Sequence, residues 1–590
     1  MARLVVDPVT RIEGHLRIEA QMDDGKITDA WSAGTMFRGI ELVLKGRDPR
    51  EAWIWAQRIC GVCTVVHALA SVRAVEDALQ IEVPNNALLV RDLIAGTQLI
   101  HDHVVHFYHL HALDWVDVIS ALKADPVKTS QIAQSISDYD KSSAAYFRGV
   151  QKRVQAVIDS GQLSLFASGY WGHPAYLLPP EVNLLAVAHY LEALTFQREF
   201  IRMQAALGGK NPHPQTFLVG GMTTSLDPNE PFAVINPDTI NFLRDLSRDT
   251  RKFIDQVYVP DVLAIASYYP EWLTRGEGLG NFFSYGDYPL GERGDASKFL
   301  FPRGIVTGRD LSKVLPMDAS KITESVHSSW YDYSGSGAPR HPAQGETNPK
   351  YTGPKPPYDF LDVNAKYSWI KAPRYDSKPM ETGPLARMVV GYAAGQPEIR
   401  AAVDRALKTL KASPEALFST LGRVASRALE AQVMASHLET WVEALASNME
   451  HGKVEIFNPI HWDPATWPNS AAGCGTHEAP RGSLGHWVEI ENRTIKNYQA
   501  VVPTTWNASP RDAQGQRGAY EAALLKTPVV DPTRPLEILR TVHSFDPCLA
   551  CAAHVVDAHG REYTIAAAKL APTLPLLEQT GVPDANQFPE

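Results

Sequence analysis

Residues 50–80, REAWIWAQRICGVCTVVHALASVRAVEDALQ, repeat apolar side chains at helical spacing through Leu79 and carry a CxxC pair, Cys60 and Cys63. The pattern predicts a buried helix presenting two thiols, with Gly61 allowing them to approach each other. A second pair, Cys548 and Cys551, stands in SFDPCLACAAH at residues 544–554. Cys63 and Cys548 are 485 positions apart, and a histidine follows each pair, His67 and His554. Four of the five cysteines in the chain are therefore paired, which points to one metal site shared by its two ends.

Two plainer readings are weaker. A structural zinc module is compact, with half-sites roughly 10 to 20 residues apart, because the metal replaces a core that a short segment cannot build. This chain has 590 residues, 44% of them hydrophobic, and can bury a core without a metal staple. Redox disulfides in CxxC pairs accompany the strand-to-helix start of a thioredoxin unit, and neither pair has that context. Around the second pair, Asp546 suits a helix N-cap and Pro547 the first helical position, which would put Cys548 in the first turn, where the positive end of the helix favours thiolates. At spacing i, i+3 each pair would present both sulfurs on one helical face. Four such sulfurs suit nickel, an iron cluster, zinc or copper(I), and spacing alone leaves that choice open.

Six motifs resolve it by likeness: DPVTRIEGH (7–15), RICGVCTVVH (58–67), GGKNPHP (208–214), EAPRGSLGHW (478–487), VVPTTWN (501–507) and DPCLACAAH (546–554). They occur in the same order as in the large subunit of nickel-iron hydrogenases, and the chain resembles the membrane-bound uptake group of that family over nearly its whole length. The resemblance implies that Cys60, Cys63, Cys548 and Cys551 hold nickel, and that Cys63 and Cys551 also bridge to an iron carrying cyanide and carbon monoxide. It places Arg481 over the open face of the metals, held by Asp102 and Asp546. A buried guanidinium needs such carboxylates. It sets Pro480 and Thr504 beside the iron's diatomic ligands and His67 behind a bridging sulfur as a hydrogen-bond donor.

Glu13 matches the family's proton-relay glutamate, reaching the Cys548 sulfur. Splitting hydrogen heterolytically releases a proton that a base must receive within hydrogen-bond reach, and either Cys548 or Arg481 could be that base. Glu41, the backbone carbonyl of Ala500 and His554 match a second metal site, for magnesium or, in some members, iron. Cys474 reads as a small buried hydrophobe. The run HDHVVHFYHLHALDW (101–115) reads as a packed amphipathic helix rather than a metal box, with Asp102 its functional residue.

The fold expected is mainly α with small mixed β regions: a central long-helix bundle of the nickel-iron hydrogenase large-subunit type, with strands near the N-terminus. Helical patterns cover 50–80, 85–120, 180–206, 236–257 and 396–450. Although length alone allows about four domains, no linker breaks the chain, so residues 1–554 are expected to form one large catalytic unit. The Pro/Gly-rich stretch 333–358 reads as a surface excursion. Residues 555–590 match the C-terminal extension that an endopeptidase removes after nickel loading, so the sequence reads as a precursor.

The net charge of −10 gives no support for nucleic acid. No apolar run is long enough to span a membrane, and the N-terminus is no signal peptide, so alone the chain would be cytoplasmic. The resemblance implies export with a small subunit to the periplasmic side of the cell membrane, and there a membrane cytochrome b. Nickel-insertion chaperones are implied as well. The cysteine count independently points to a partner that supplies iron-sulfur clusters, since the single cysteine left over, Cys474, cannot hold an electron path. Two alternatives share the ancestry: a regulatory hydrogen-sensing subunit and the quinone-site subunit of respiratory complex I, which lacks the cysteine pairs.

Overall fold

A computed structural model describes residues 2–161, 166, 169–230, 232–290, 298–353 and 360–549. Cys551, His554 and the extension at 555–590 lie outside the described residues. An antiparallel sheet opens the chain, with strands β1 (Ala2–Val6), β2 (Leu16–Asp23) and β3 (Lys26–Gly34) in sequential order. Leu16, Ile18 and Ala20 are fully buried. The loop between β1 and β2, residues 7–15, holds Arg11 and Glu13 and reaches toward the C-terminal segment.

Six helices frame the core: α1 (Val66–Leu79), α2 (Asn85–Val105), α3 (Pro180–Phe200), α4 (Pro237–Phe253), α5 (Pro384–Ala394) and α6 (Thr420–Glu450). Proline at the first position of α3, α4 and α5 starts each helix where a missing N–H costs nothing. Ser419 caps α6 by accepting the Gly422 N–H at 2.9 Å. Helix α6 runs through the centre and packs on α2, α4 and α5. At Gly96 of α2 a Cβ would sit 3.0 Å from Met434 Sδ, so the glycine permits the two long helices to approach closely. Each fully buried Leu or Ile in this interface, such as Leu99 and Leu438, contributes about 1.5–3 kcal/mol.

The structure corrects the reading of 50–80 as one helix. A short helix, Ala52–Ala56, passes into a 3₁₀ turn, Gln57–Ile59, and residues 60–65 leave helical geometry before α1 begins. Gly61 has no steric role there, since a Cβ would meet nothing nearer than His213 Nε2 at 3.9 Å. Helix α2 continues past Val105 into a π-helical turn, His106–His111.

One of the small sheets expected beside the bundle falls where the sequence reading placed no strands: β4 (Ser470–Ala479), β5 (Gly482–Glu491) and β6 (Thr494–Val501), antiparallel in that order. Strand β4 lies directly on α1, because at Gly473 and Gly475 a Cβ would come within 2.3 Å of Ala78 N and 2.0 Å of Ala70 O. Pro480 and Arg481 form the two-residue tip between β4 and β5. Stretch 333–353 is not a plain surface excursion, since Tyr333 and Thr347 are buried in it. Helix α7 (Leu536–His543) leads into the second cysteine motif.

Candidate metal centre

Cys60, Cys63 and Cys548 are buried, and their sulfurs all lie within 4.8 Å of one another. Cys60 Sγ is 3.4 Å from Cys548 Sγ. The described cysteines form no disulfide with one another, and the fourth predicted ligand, Cys551, lies outside the described residues. Because residues 60–65 are not helical, the chain folds over Cys60, and the N–H groups of Val62 and Cys63 both donate to its sulfur at 3.3 Å. Those two bonds favour the thiolate, as the helix end was expected to do.

The start of the C-terminal motif, through Leu549, also departs from expectation. Asp546 does not cap a helix. It stands after α7 in the left-handed conformation, φ 57°, donating its N–H to His543 O at 2.9 Å. Cys548 is then extended and bridges in parallel to Glu13: the Glu13 N–H donates to Pro547 O at 3.3 Å and the Leu549 N–H to Glu13 O at 2.8 Å. The bridge brings the Cys548 thiol to 3.3 Å from Glu13 Oε2. Glu13 itself is partly exposed.

Arg481 stands at the tip of the β4–β5 hairpin, 4% exposed. Its Nη1 donates to Asp102 Oδ2 at 2.9 Å and its Nη2 to Asp546 Oδ1 at 3.1 Å. Burial alone would lower its pKa; Asp546, Cys548, Asp102 and Cys63 outweigh that and hold it well above the ordinary value. Gln98 one turn earlier on α2 donates to Asp102 Oδ1 at 2.6 Å and fixes that carboxylate. The hairpin tip is shaped by glycine: Gly482 has φ 136°, and a Cβ at Gly383 would sit 2.8 Å from Arg481 O.

Thr504 accepts the Cys548 N–H at 3.2 Å on its hydroxyl oxygen, which leaves its own proton to donate elsewhere. Pro480 is buried, and its carbonyl accepts from Arg387 Nη2 at 3.3 Å and Arg427 Nη1 at 3.4 Å. His67 pairs through Nδ1 with His486 Nε2 at 3.0 Å, and His486 in turn with Tyr498 at 2.6 Å. Sequence reasoning missed His486 and Tyr498, although His486 stands within EAPRGSLGHW.

It missed the buried charges behind the hairpin as well. Arg387 binds Glu430 and Glu478 and donates to Ala479 O at 2.8 Å, while Arg427 lies 3.7 Å from Asp546. Their signal is the spacing of Arg423, Arg427 and Glu430 on one face of α6. Burial would raise the Glu430 pKa, yet Arg387 and His103 hold it down at about 2. His103, His106 and His109 serve packing: they bond Glu430, the His543 carbonyl and the Tyr190 carbonyl. Cys474 lies apart from the other thiols, packed near Trp487, with its pKa pushed up to about 12 by burial.

At the second predicted metal site, Glu41 is buried and accepts the Ala500 N–H at 2.9 Å and the Thr347 hydroxyl. His554, the third predicted ligand, lies outside the described residues. Lys371 and Glu324 stand nearby, 3.7 Å apart. Among the described residues, no helix is long and apolar enough to cross a membrane.

A family model described as nickel-dependent hydrogenase matches residues 38–554, and a HoxL-like model matches residues 3–32. The uptake hydrogenase large subunit of Rhizobium leguminosarum bv. viciae is 51% identical over 575 residues, covering 95% of this chain and 96% of that one. The hydrogenase-1 large chain of Escherichia coli (strain K12) is 48% identical with the same coverage. Among solved structures, a single-residue variant of the [NiFeSe] hydrogenase from Desulfovibrio vulgaris Hildenborough superposes with a TM-score of 0.75 at 35% identity, covering 94% of this chain and 99% of that one. A reduced, active form of the Ni-Fe-Se hydrogenase from Desulfomicrobium baculatum gives 0.72 at 32%, with coverages of 94% and 100%.

Proposed function

Starting from the fact that this chain belongs to the nickel-dependent hydrogenase family, we propose that Cys60, Cys63, Cys548 and Cys551 hold its nickel-iron centre and that Glu13 and Arg481 serve the reaction there. The chain is the catalytic large subunit of a nickel-iron hydrogenase, an oxidoreductase for the reversible cleavage of hydrogen into protons and electrons. The observation that carries the site assignment is the convergence of three sulfurs from opposite ends of the chain within 4.8 Å.

The donor set fits the group. Soft thiolates in a buried setting, with N–H donors on Cys60 and a guanidinium nearby, suit nickel, and Cys63 and Cys551 would also hold the iron. When bound, the centre supplies the Lewis acidity and redox capacity for heterolytic cleavage. Pro480 and Thr504 take the places beside cyanide and carbon monoxide: Thr504 has a hydroxyl proton to donate, and Pro480 offers a rigid wall. His67, held by His486, would orient the Cys63 sulfur.

The protein's own part is chiefly proton handling. Cys548 Sγ can carry a proton and pass it to Glu13 Oε2 at 3.3 Å, and the partly exposed carboxylate can release it outward. Arg481, its two nitrogens committed to Asp102 and Asp546, keeps a fixed positive charge over the sulfurs. That charge favours the developing anion without reorganising during the reaction.

Glu41, the Ala500 carbonyl and His554 are proposed to hold magnesium or iron. The electron acceptor is a small subunit with iron-sulfur clusters, carried with this chain to the periplasmic side of the membrane and joined there to a cytochrome b. Nickel-insertion chaperones and a C-terminal endopeptidase complete its maturation, with cleavage after His554. Metal analysis combined with infrared spectroscopy tests the centre. Nickel and iron in equal amounts, with cyanide and carbonyl bands, support it; zinc alone overturns it. Rapid dye reduction under hydrogen separates the enzyme from a sensor, which turns over slowly.

A further inference from the structure

His543, the last residue of α7, is 1% exposed, and each of its ring nitrogens meets an acceptor. Nδ1 lies 2.6 Å from Asp114 Oδ2 and Nε2 lies 2.8 Å from the Thr10 carbonyl. A carbonyl oxygen only accepts. Asp114 only accepts as well, because it is ionised: burial would raise its pKa, but Arg11 and His543 beside it hold it far below the ordinary carboxylate range. The Thr10 carbonyl therefore accepts from Nε2, and the ring ties Thr10 to Asp114.

The partners of this ring all bear on one loop. Thr10 and Arg11 are neighbours in the segment that carries Glu13. Arg11 pairs with the same Asp114 and donates through Nη1 to Leu110 O at 2.5 Å. Two residues later, Glu13 is stitched to Pro547 and Leu549. The π-helical turn closes the cluster from the other side, with His106 Nε2 donating to His543 O at 2.6 Å and Trp115 Nε1 to His111 Nε2 at 3.1 Å. The segment 543–549 thus grips the Glu13 loop at both ends.

We propose that His543 is a positioning residue that fastens the Glu13 loop to the segment carrying Cys548 and so keeps the carboxylate within proton-transfer reach of the sulfur. The inference rests on Glu13 as proton carrier. Without the Thr10 bond, the loop between β1 and β2 loses the tie next to Arg11 and keeps the Arg11 pair, the backbone bridge at Glu13 and the backbone bonds of Val9 and His15. The carboxylate can then swing away although every sulfur stays in place.

The test uses the metal-loaded enzyme with its small subunit. Asparagine carries its amide near the Nδ1 position and glutamine near Nε2, so His543→Asn keeps the Asp114 bond and loses Thr10, while His543→Gln keeps Thr10. His543→Asn is expected to slow exchange between deuterium gas and water by about tenfold to a hundredfold, to speed amide exchange in peptides spanning 7–15, and to leave the infrared bands of the centre unchanged. His543→Gln should recover most of both losses. Wild-type isotope exchange in His543→Asn, or equal loss in both variants, overturns the proposal. Glu13→Gln measured alongside separates the two claims: unchanged exchange in that variant removes Glu13 from the relay, whereas a loss there with none in His543→Asn removes only His543. Should neither His543 variant assemble, neutron diffraction of the wild-type enzyme decides. Deuterium on His543 Nε2, between the ring and the Thr10 carbonyl, is expected, and its absence there refutes the proposal.

Discussion

Replacing Arg481 by lysine keeps the charge and removes the fork. The guanidinium reaches Asp102 and Asp546 through two different nitrogens, at 2.9 and 3.1 Å, from one planar group. An ammonium is a point donor on a shorter stem and can satisfy one of these carboxylates, leaving the other buried with one partner fewer. A hydrogen bond to a charged group contributes about 1.5–3 kcal/mol, and Asp546, with Arg427 3.7 Å away, keeps partial compensation, so about 2–3 kcal/mol is lost. If that energy orients the charge over the sulfurs during the reaction, hydrogen oxidation falls by about thirtyfold to 150-fold. The substitution leaves all four proposed cysteine ligands in the chain, so nickel content should remain at the wild-type level. Dye-linked hydrogen oxidation, normalised to nickel by elemental analysis, measures the effect. Activity and nickel lost in the same proportion would show that Arg481 only holds the site together.

Glu13→Gln keeps the backbone bridge to Cys548 but cannot accept its proton; isotope exchange between deuterium gas and water should drop about a hundredfold while the infrared bands stay put, and an unaltered rate would exclude this residue. Gly482→Ala adds a Cβ 2.4 Å from Thr382 Oγ1 at φ 136°; strain of about 1–3 kcal/mol should displace the hairpin tip, lowering both the Tm and the activity, and a wild-type Tm would contradict the assigned backbone. Glu430, with its pKa depressed from 4.5 to about 2, adds stability that is complete above pH 4.5 and is lost as the pH falls through 2. Its share is at most about 3 kcal/mol, and thermal scans across that window should show a slope that Glu430→Gln flattens. A slope that survives in the variant would assign it to other carboxylates.

Much of the site was legible in the residues. Twin thiol pairs at opposite ends of a long chain suit little besides a shared metal, and the charged tip EAPRG announces an arginine that needs carboxylate partners. The long helices α2, α3, α4 and α6 follow from apolar periodicity. What misled was local geometry set by other parts of the chain. Helical spacing runs through Cys60 without showing that the N–H groups of Val62 and Cys63 would turn onto its sulfur. Asp546 followed by proline has the look of a helix start, yet pairing with Glu13 from the far end of the sequence draws Cys548 into an extended bridge. Strand β4 is poor in β-branched residues, with glycines where strand propensity expects bulk, and its reason for being a strand is the flat approach to α1. His543 offered no signal of its own, since both its partners come from remote segments.

The parallel bridge between Glu13 and Cys548 has a consequence for biosynthesis. Until Cys548 is added, a growing chain can bring only Cys60 and Cys63 to the cluster. Closing a loop of 485 residues carries an entropic penalty of about 5 kcal/mol, from (3/2)RT ln n, which packing of the helical core offsets. The thiol cluster is therefore a product of the whole fold, and no short segment of the chain can assemble it by itself.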